Sequence, residues 1–490
     1  MMSISPGINQ PAKTGLNYSA LFQLIASTLA ALLLLGAAGI IALSSAVQFF
    51  SSSGSASGSG NVDPTQSFMI AASLAFAGVL LLPSAWYSWK HITHPVFEPV
   101  SRPERKSFGL ILTIVVLVLV AGSLFLGDWA SKDDRVAWIF LPFLNILATG
   151  LPALWLVYIG THGLLPNAPK RKWGVFGTGL VLGPFIIMIL EILVFIAVGV
   201  LAILSIILDP KLSNQLNGLA YRLQVASPNI EAKLNTLLPF LLNPGVLFFG
   251  FVFVSVLVPL IEETLKPIGV WFLAGQKITP AMGFGYGVIS GAGFGLFENL
   301  GNTSGGGETW ALIAAARITT LLLHCFTAGL VGWALASAWS QRRYLRLAVS
   351  FIAAILIHGL WNGMSIISAV SSLQGVADIS IPASLQRLSG ITTVGVVVLG
   401  VLVLVLFIGF NAMLRRSFLA ASPLPSGNHL PGTYPLAVSH SDLPGESSLS
   451  ASDIDRSLPL PPGEGLPTPV NAPNHHGHGE NPPANSENNP

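Results

Sequence analysis

Glu262, Glu263 and Lys266 lie within one apolar run, 245–273, and Glu298 lies in the next, 281–300. Arg317 and His324 follow in the run 309–339, and His358 and Asn362 in 347–369. Ionisable groups are expensive inside a membrane, so four consecutive apolar runs carrying them mark one functional region. Helical spacing sorts the groups onto faces. Glu262 and Lys266 are four apart and stack on one face, while Glu263 is three from Lys266. His358 and Asn362 are also four apart, and Arg317 and His324, seven apart, share a stripe. A carboxylate removed from water and crowded by a second can accept and return a proton near neutral pH. His358 and Asn362 are suitable donors to an oxyanion. Together these are the parts of a peptide hydrolase. Some of the residues also have plainer roles. Glu263 with Lys266 reads as an ion pair that holds two helices together, and Arg317 as a structural partner of Glu191 or of one of the clustered acids. Glu191, in the run 174–208, stands apart from the cluster in sequence.

The elements that must hold these groups are helices in lipid. The chain has 490 residues, of which 52% are hydrophobic and 9% charged. A water-soluble domain carries about 25% charged residues. Ten apolar runs between 21 and 413 are each long enough to cross a hydrocarbon core of about 30 Å. Backbone polar groups must be satisfied within each run there, so the fold class is an all-α polytopic membrane protein of about ten spans. The net charge of +2 does not point to a nucleic-acid partner. The single cysteine, Cys325, excludes an internal disulfide or a thiolate-built zinc site. The run 21–47 is longer than a cleaved signal's apolar core and reads as a signal anchor. Basic residues such as Arg102, Arg105, Lys170, Arg171, Arg342 and Arg415 crowd one set of loops, which makes both termini cytoplasmic in a multi-pass cell-membrane protein. That balance favours one long helix over a hairpin at Gly183-Pro184 in the run 174–208.

The chain then divides into an N-terminus (1–20), a five-span region (21–208), an extracytoplasmic segment that can hold an amphipathic helix (209–244), a catalytic core (245–370), a loop and last span (371–414), and a tail (415–490). The Ser/Gly stretch 51–60 reads as a flexible loop, and the Pro-rich tail as disordered. The histidines at 475, 476 and 478 belong to that solvated tail.

Four motifs occur in order, each on its own run. They are Glu262-Glu263-Thr264-Leu265-Lys266, Phe294-Gly295-Leu296-Phe297-Glu298, the lone His324, and His358-Gly359-Leu360-Trp361-Asn362. Together they resemble the Glu-Glu-x-x-Lys, Phe-x-x-x-Glu, His and His-x-x-x-Asn signature of PrsW-type intramembrane proteases. That family is related to the CAAX prenyl endopeptidases and their bacterial homologues, whose second motif ends in histidine where this chain has Glu298. The resemblance implies a glutamate-dependent hydrolase. Glu262 would be the base and Glu298 would help hold the water, with Glu263 beside them. His358 and Asn362 would bind the oxyanion, and His324 would support the site. It further implies a single-span membrane protein as substrate, an anti-sigma factor being the family's best-known one. With no His-Glu-x-x-His pattern, no cofactor is expected, and zinc is the second choice. A proton-coupled transporter and a non-catalytic scaffold are the competing classes.

Overall fold

A computed structural model describes residues 17–52, 64–94, 109–208, 210–225, 244–305, 307–370 and 383–420, with Lys233, Thr236 and Leu237. The Ser/Gly stretch at 53–60, the tail beyond 420 and its histidines lie outside the described residues.

The described residues form helices and short turns, without strands. Four long helices come first: α1 (Tyr18–Ser52), α2 (Thr65–Thr93), α3 (Gly109–Ala130) and α4 (Asp134–Thr161). Then come α5 (Pro169–Gly177), a π turn (Thr178–Leu182), α6 (Gly183–Leu208) and α7 (Pro210–Val225). The second half holds α8 (Pro244–Val252), a second π turn (Phe253–Leu257), α9 (Val258–Leu265) and the short α10 (Ile268–Trp271). It closes with α11 (Pro280–Thr303), α12 (Trp310–Gln341), α13 (Tyr344–Val370) and α14 (Ala383–Ala420). Among the described residues, nine helical stretches are long and apolar enough to cross a membrane. The protein is an all-α, multi-pass membrane protein.

The 24-residue α11 is not one of those nine, because its glycines dilute its hydropathy. It is nevertheless the centre of the fold, packed against α4, α5, the first π turn and α12. Gly283, Gly287 and Gly291 recur every fourth residue along its contact with α12. A Cβ on Gly287 would strike the Ala328 carbonyl oxygen, and one on Gly291 the His324 carbonyl. Small residues let the two backbones touch, the usual basis of close packing in lipid. Outer helices show the opposite pattern. Large apolar side chains on α3, α6 and α14, such as Leu117, Phe195 and Val405, are exposed and suited to lipid contact.

Both π turns are explained by proline. Gly183 N–H reaches back to Thr178 O, and Val258 N–H to Phe253 O, each one residue further than in an α-helix. In each case the next residue, Pro184 or Pro259, has no N–H to continue the ladder. The chain runs through Gly183-Pro184 as one continuous helical stretch rather than a hairpin.

Candidate active site

Glu262, Glu263 and Lys266 sit at the C-terminal end of α9, where Pro267 cannot supply an N–H to Glu263 O. The break is held from α11. Ser290 Oγ donates to Lys266 O at 2.6 Å and accepts from Gly269 N–H at 3.3 Å. The other side is held by α13. Gly359 lies so close to the second π turn that a Cβ there would strike Ser255 O. Pro259 leaves Val254 O without its backbone donor, and the Asn362 amide takes that place, Nδ2 donating to Val254 O at 3.1 Å. Asn362 therefore ties α13 to the turn that carries Glu262.

Lys266 is fully buried and bridges both acids, its Nζ 2.8 Å from Glu262 Oε2 and 2.8 Å from Glu263 Oε1. His358 Nδ1 lies 2.9 Å from Glu263 Oε1 and 3.2 Å from Lys266 Nζ. Glu263 Oε1 can accept from Nδ1–H, whereas Lys266 can only donate to an unprotonated Nδ1, so these two neighbours favour opposite tautomers and the ring's other nitrogen is Nε2. That Nε2 is 3.8 Å from Glu262 Oε2.

A second group faces the first. Glu298 on α11 contacts Arg317 Nη2 through Oε1 at 2.8 Å and His324 Nε2 through Oε2 at 2.7 Å, both from α12. Arg317 is braced by Asn299, its Nε donating to Asn299 Oδ1 at 2.8 Å. Its acidic partner is thus Glu298 and not Glu191. With Nε2 against a carboxylate, the buried Nδ1 of His324 is left without a hydrogen-bond partner among the described residues. Phe294 joins the two groups. Its ring meets His324 edge-on at 5.1 Å, and Lys266 Nζ lies 5.1 Å from its centroid. The two imidazoles stand edge to face, 5.6 Å apart.

The sequence reading set Glu191 apart, and the structure corrects this. α6 packs on α9 and α11, which puts Glu191 in electrostatic range of Glu262, Glu298 and Lys266. A lone acid in an apolar run was the available signal, since such a group must face protein or water.

One atom each from Glu262, His324 and His358 come together, all within 4.8 Å of one another and all three residues buried. Two imidazoles and a carboxylate form a three-ligand set of the kind that binds catalytic zinc with one position open. Each ring has a carboxylate at one nitrogen, Glu298 at His324 Nε2 and Glu263 at His358 Nδ1, and such contacts orient metal-binding histidines. The donors present therefore fit a divalent cation.

Residues 192–406 match the family model described as PrsW family intramembrane metalloprotease. No match is found among curated proteins or among solved structures. The matched segment contains all four motifs and the three converging side chains. The family is one of membrane-embedded proteases, so its substrates are membrane proteins met within the bilayer. Over residues 192–406, rather less than half of its length, the chain is similar to the PrsW-type family of intramembrane proteases.

Proposed function

We propose that this protein hydrolyses a peptide bond in a single-span membrane protein, using a water held among Glu262, His324 and His358. The convergence of those three side chains within 4.8 Å carries the reading. Glu262 accepts the water's proton. Glu263 and Glu298 each hold one nitrogen of an imidazole and so fix the orientation of the two rings about the water. Lys266 offsets the charge of the paired acids, and Arg317 holds Glu298 in place. The second N–H of Asn362, one turn from His358, is the donor for the oxyanion. A divalent ion such as zinc, held by Glu262, His324 and His358, would supply Lewis-acid activation of the water. The convergence of one buried carboxylate and two buried imidazoles favours that ion over the metal-free chemistry expected from sequence.

Both termini are cytoplasmic in this reading, in a cell membrane, and an anti-sigma factor is the substrate type the family suggests. A transporter is less well supported, because the buried acids and bases close on one another in a single cluster rather than forming a relay across the bundle.

The test uses the purified full chain in detergent with a quenched-fluorescent single-span peptide. Glu262→Gln should remain folded and lose roughly 10²–10⁴-fold in rate. Stringent chelation should remove activity, and zinc should restore it. Full turnover in Glu262→Gln would refute the proposed role of that residue. Full activity in metal-free protein would refute the ion.

A further inference from the structure

Glu191 lies one residue before the segment that matches the protease family, and none of the four motifs includes it. It stands on α6, in a stretch whose neighbours Ile192, Leu193 and Phe195 are exposed and suited to lipid. A carboxylate in that setting is costly unless it faces a polar interior. The helix that carries Glu191 packs against α9 and α11, which bear the cluster. The charged groups within its range are Glu262 and Lys266 from α9 and Glu298 from α11. Yet its Oε1 is buried with no hydrogen-bond partner among the described residues. The cations nearby are already committed. Lys266 is shared by Glu262 and Glu263, and Arg317 is paired with Glu298. Glu191 is thus an acid beside the cluster that helps to hold none of its members.

Peptide hydrolysis has a role open for such a group. Attack by water and departure of the amine are separate proton transfers, and the leaving nitrogen must be protonated before the C–N bond can break readily. Glu262, His324 and His358 hold the attacking water, and Glu263, Lys266, Glu298 and Arg317 are bound to one another or to the rings.

Resting on the protease reading above, we infer that Glu191 is a further catalytic residue, the acid that protonates the leaving amine. In the first step the water oxygen bonds to the substrate carbonyl carbon, and the water's proton passes to Glu262. In the second the C–N bond breaks, and its electron pair takes the proton of Glu191. The proton on Glu262 then passes to Glu191 through solvent. The products are one carboxylic acid and one amine, with the enzyme restored.

This role separates from a structural one by the leaving group. A thiolate departs without prior protonation, so a substrate with a thioester at the scissile position does not need Glu191. The experiment uses the full chain in detergent and two single-span peptides, identical except for an amide or a thioester at the bond that mass spectrometry identifies as cut. Glu191→Gln should slow amide cleavage roughly 10²–10⁴-fold and leave thioester cleavage close to that of the unaltered protein. Equal slowing of both substrates would show a structural role and overturn the inference, as would unchanged amide cleavage. Glu262→Gln, run in parallel, should slow both substrates, because both need an activated water. If the unaltered protein cuts neither peptide, or if Glu262→Gln cuts both at full rate, the protease reading itself fails. That outcome is distinct from failure of Glu191 alone.

Discussion

Removing the positive charge of Lys266 should damage stability far more than its loss of packing would. The side chain is 0% exposed and sits 2.8 Å from both Glu262 and Glu263. Lys266→Met keeps most of the aliphatic volume, so the change is chiefly electrostatic. It leaves two buried carboxylates at adjacent positions with no cation bound to them, only the imidazoles of His358 and His324 close by. Breaking a buried ion pair by removing one partner costs about 3–5 kcal/mol, because the remaining charge is stranded. Here two charges are stranded by one change, which places the loss at the upper end of that range. A loss of about 5 kcal/mol equals the whole stability of a marginal domain. The check is thermal unfolding in detergent of Lys266→Met, Glu263→Gln and the double variant. The double variant returns the group to the net charge of two acids with one lysine, −1, with Glu263 replaced by a neutral hydrogen-bonding amide. It should be more stable than Lys266→Met alone, a coupling of at least about 1 kcal/mol between contacting residues. Simple additivity of the two losses, or a Lys266→Met variant as stable as the starting protein, would refute the argument.

Three further outcomes follow from the geometry. Glu298→Gln weakens the contact that orients His324 and should lower zinc affinity about 10–100-fold, read by calorimetric titration of the metal-free protein. Gly359→Ala drives a methyl into the Ser255 carbonyl and should cost about 1–3 kcal/mol with matching loss of activity, whereas Gly199→Ala, with open space around it, should be neutral by the same unfolding assay. Reporter fusions after Arg416 and within 51–60 should report opposite sides of the membrane, and the same side for both would contradict the proposed cytoplasmic placement of the termini.

The helices were legible because lipid leaves the backbone one solution: an apolar run of sufficient length becomes a helix. The groups on each helix were legible for a related reason, since spacings of three and four fix which side chains share a face. What the spacing could not supply was which face meets which helix. Glu191 was read as isolated because its neighbours in space, on α9 and α11, are more than seventy residues away in sequence. Hydropathy also undervalues α11. The glycines that let it touch α12 are the same residues that lower its apolar score, so a largely buried helix at the centre of the fold falls outside the nine apolar spans.

Proline shows how a local signal acquires meaning only from a distant one. Pro184 and Pro259 each withhold one N–H, and in both places the helix answers with a π turn rather than a break. At Pro184 the sequence raised the question of a hairpin, which neighbouring charges decided in favour of a continuous helix. At Pro259 the consequence lies on another helix. The unpaired Val254 carbonyl is met by Asn362, and Gly359 makes room for Ser255 O one turn away. The last motif therefore has two tasks that sequence spacing alone cannot separate. His358 turns to the acids of α9, while Gly359 and Asn362 fix the turn from which those acids project. A substitution at Asn362 should accordingly move Glu262 as well as remove a donor. On the proposed mechanism its effect on rate then exceeds that of one lost hydrogen bond, because a carboxylate displaced from the two imidazoles would no longer share a water with them.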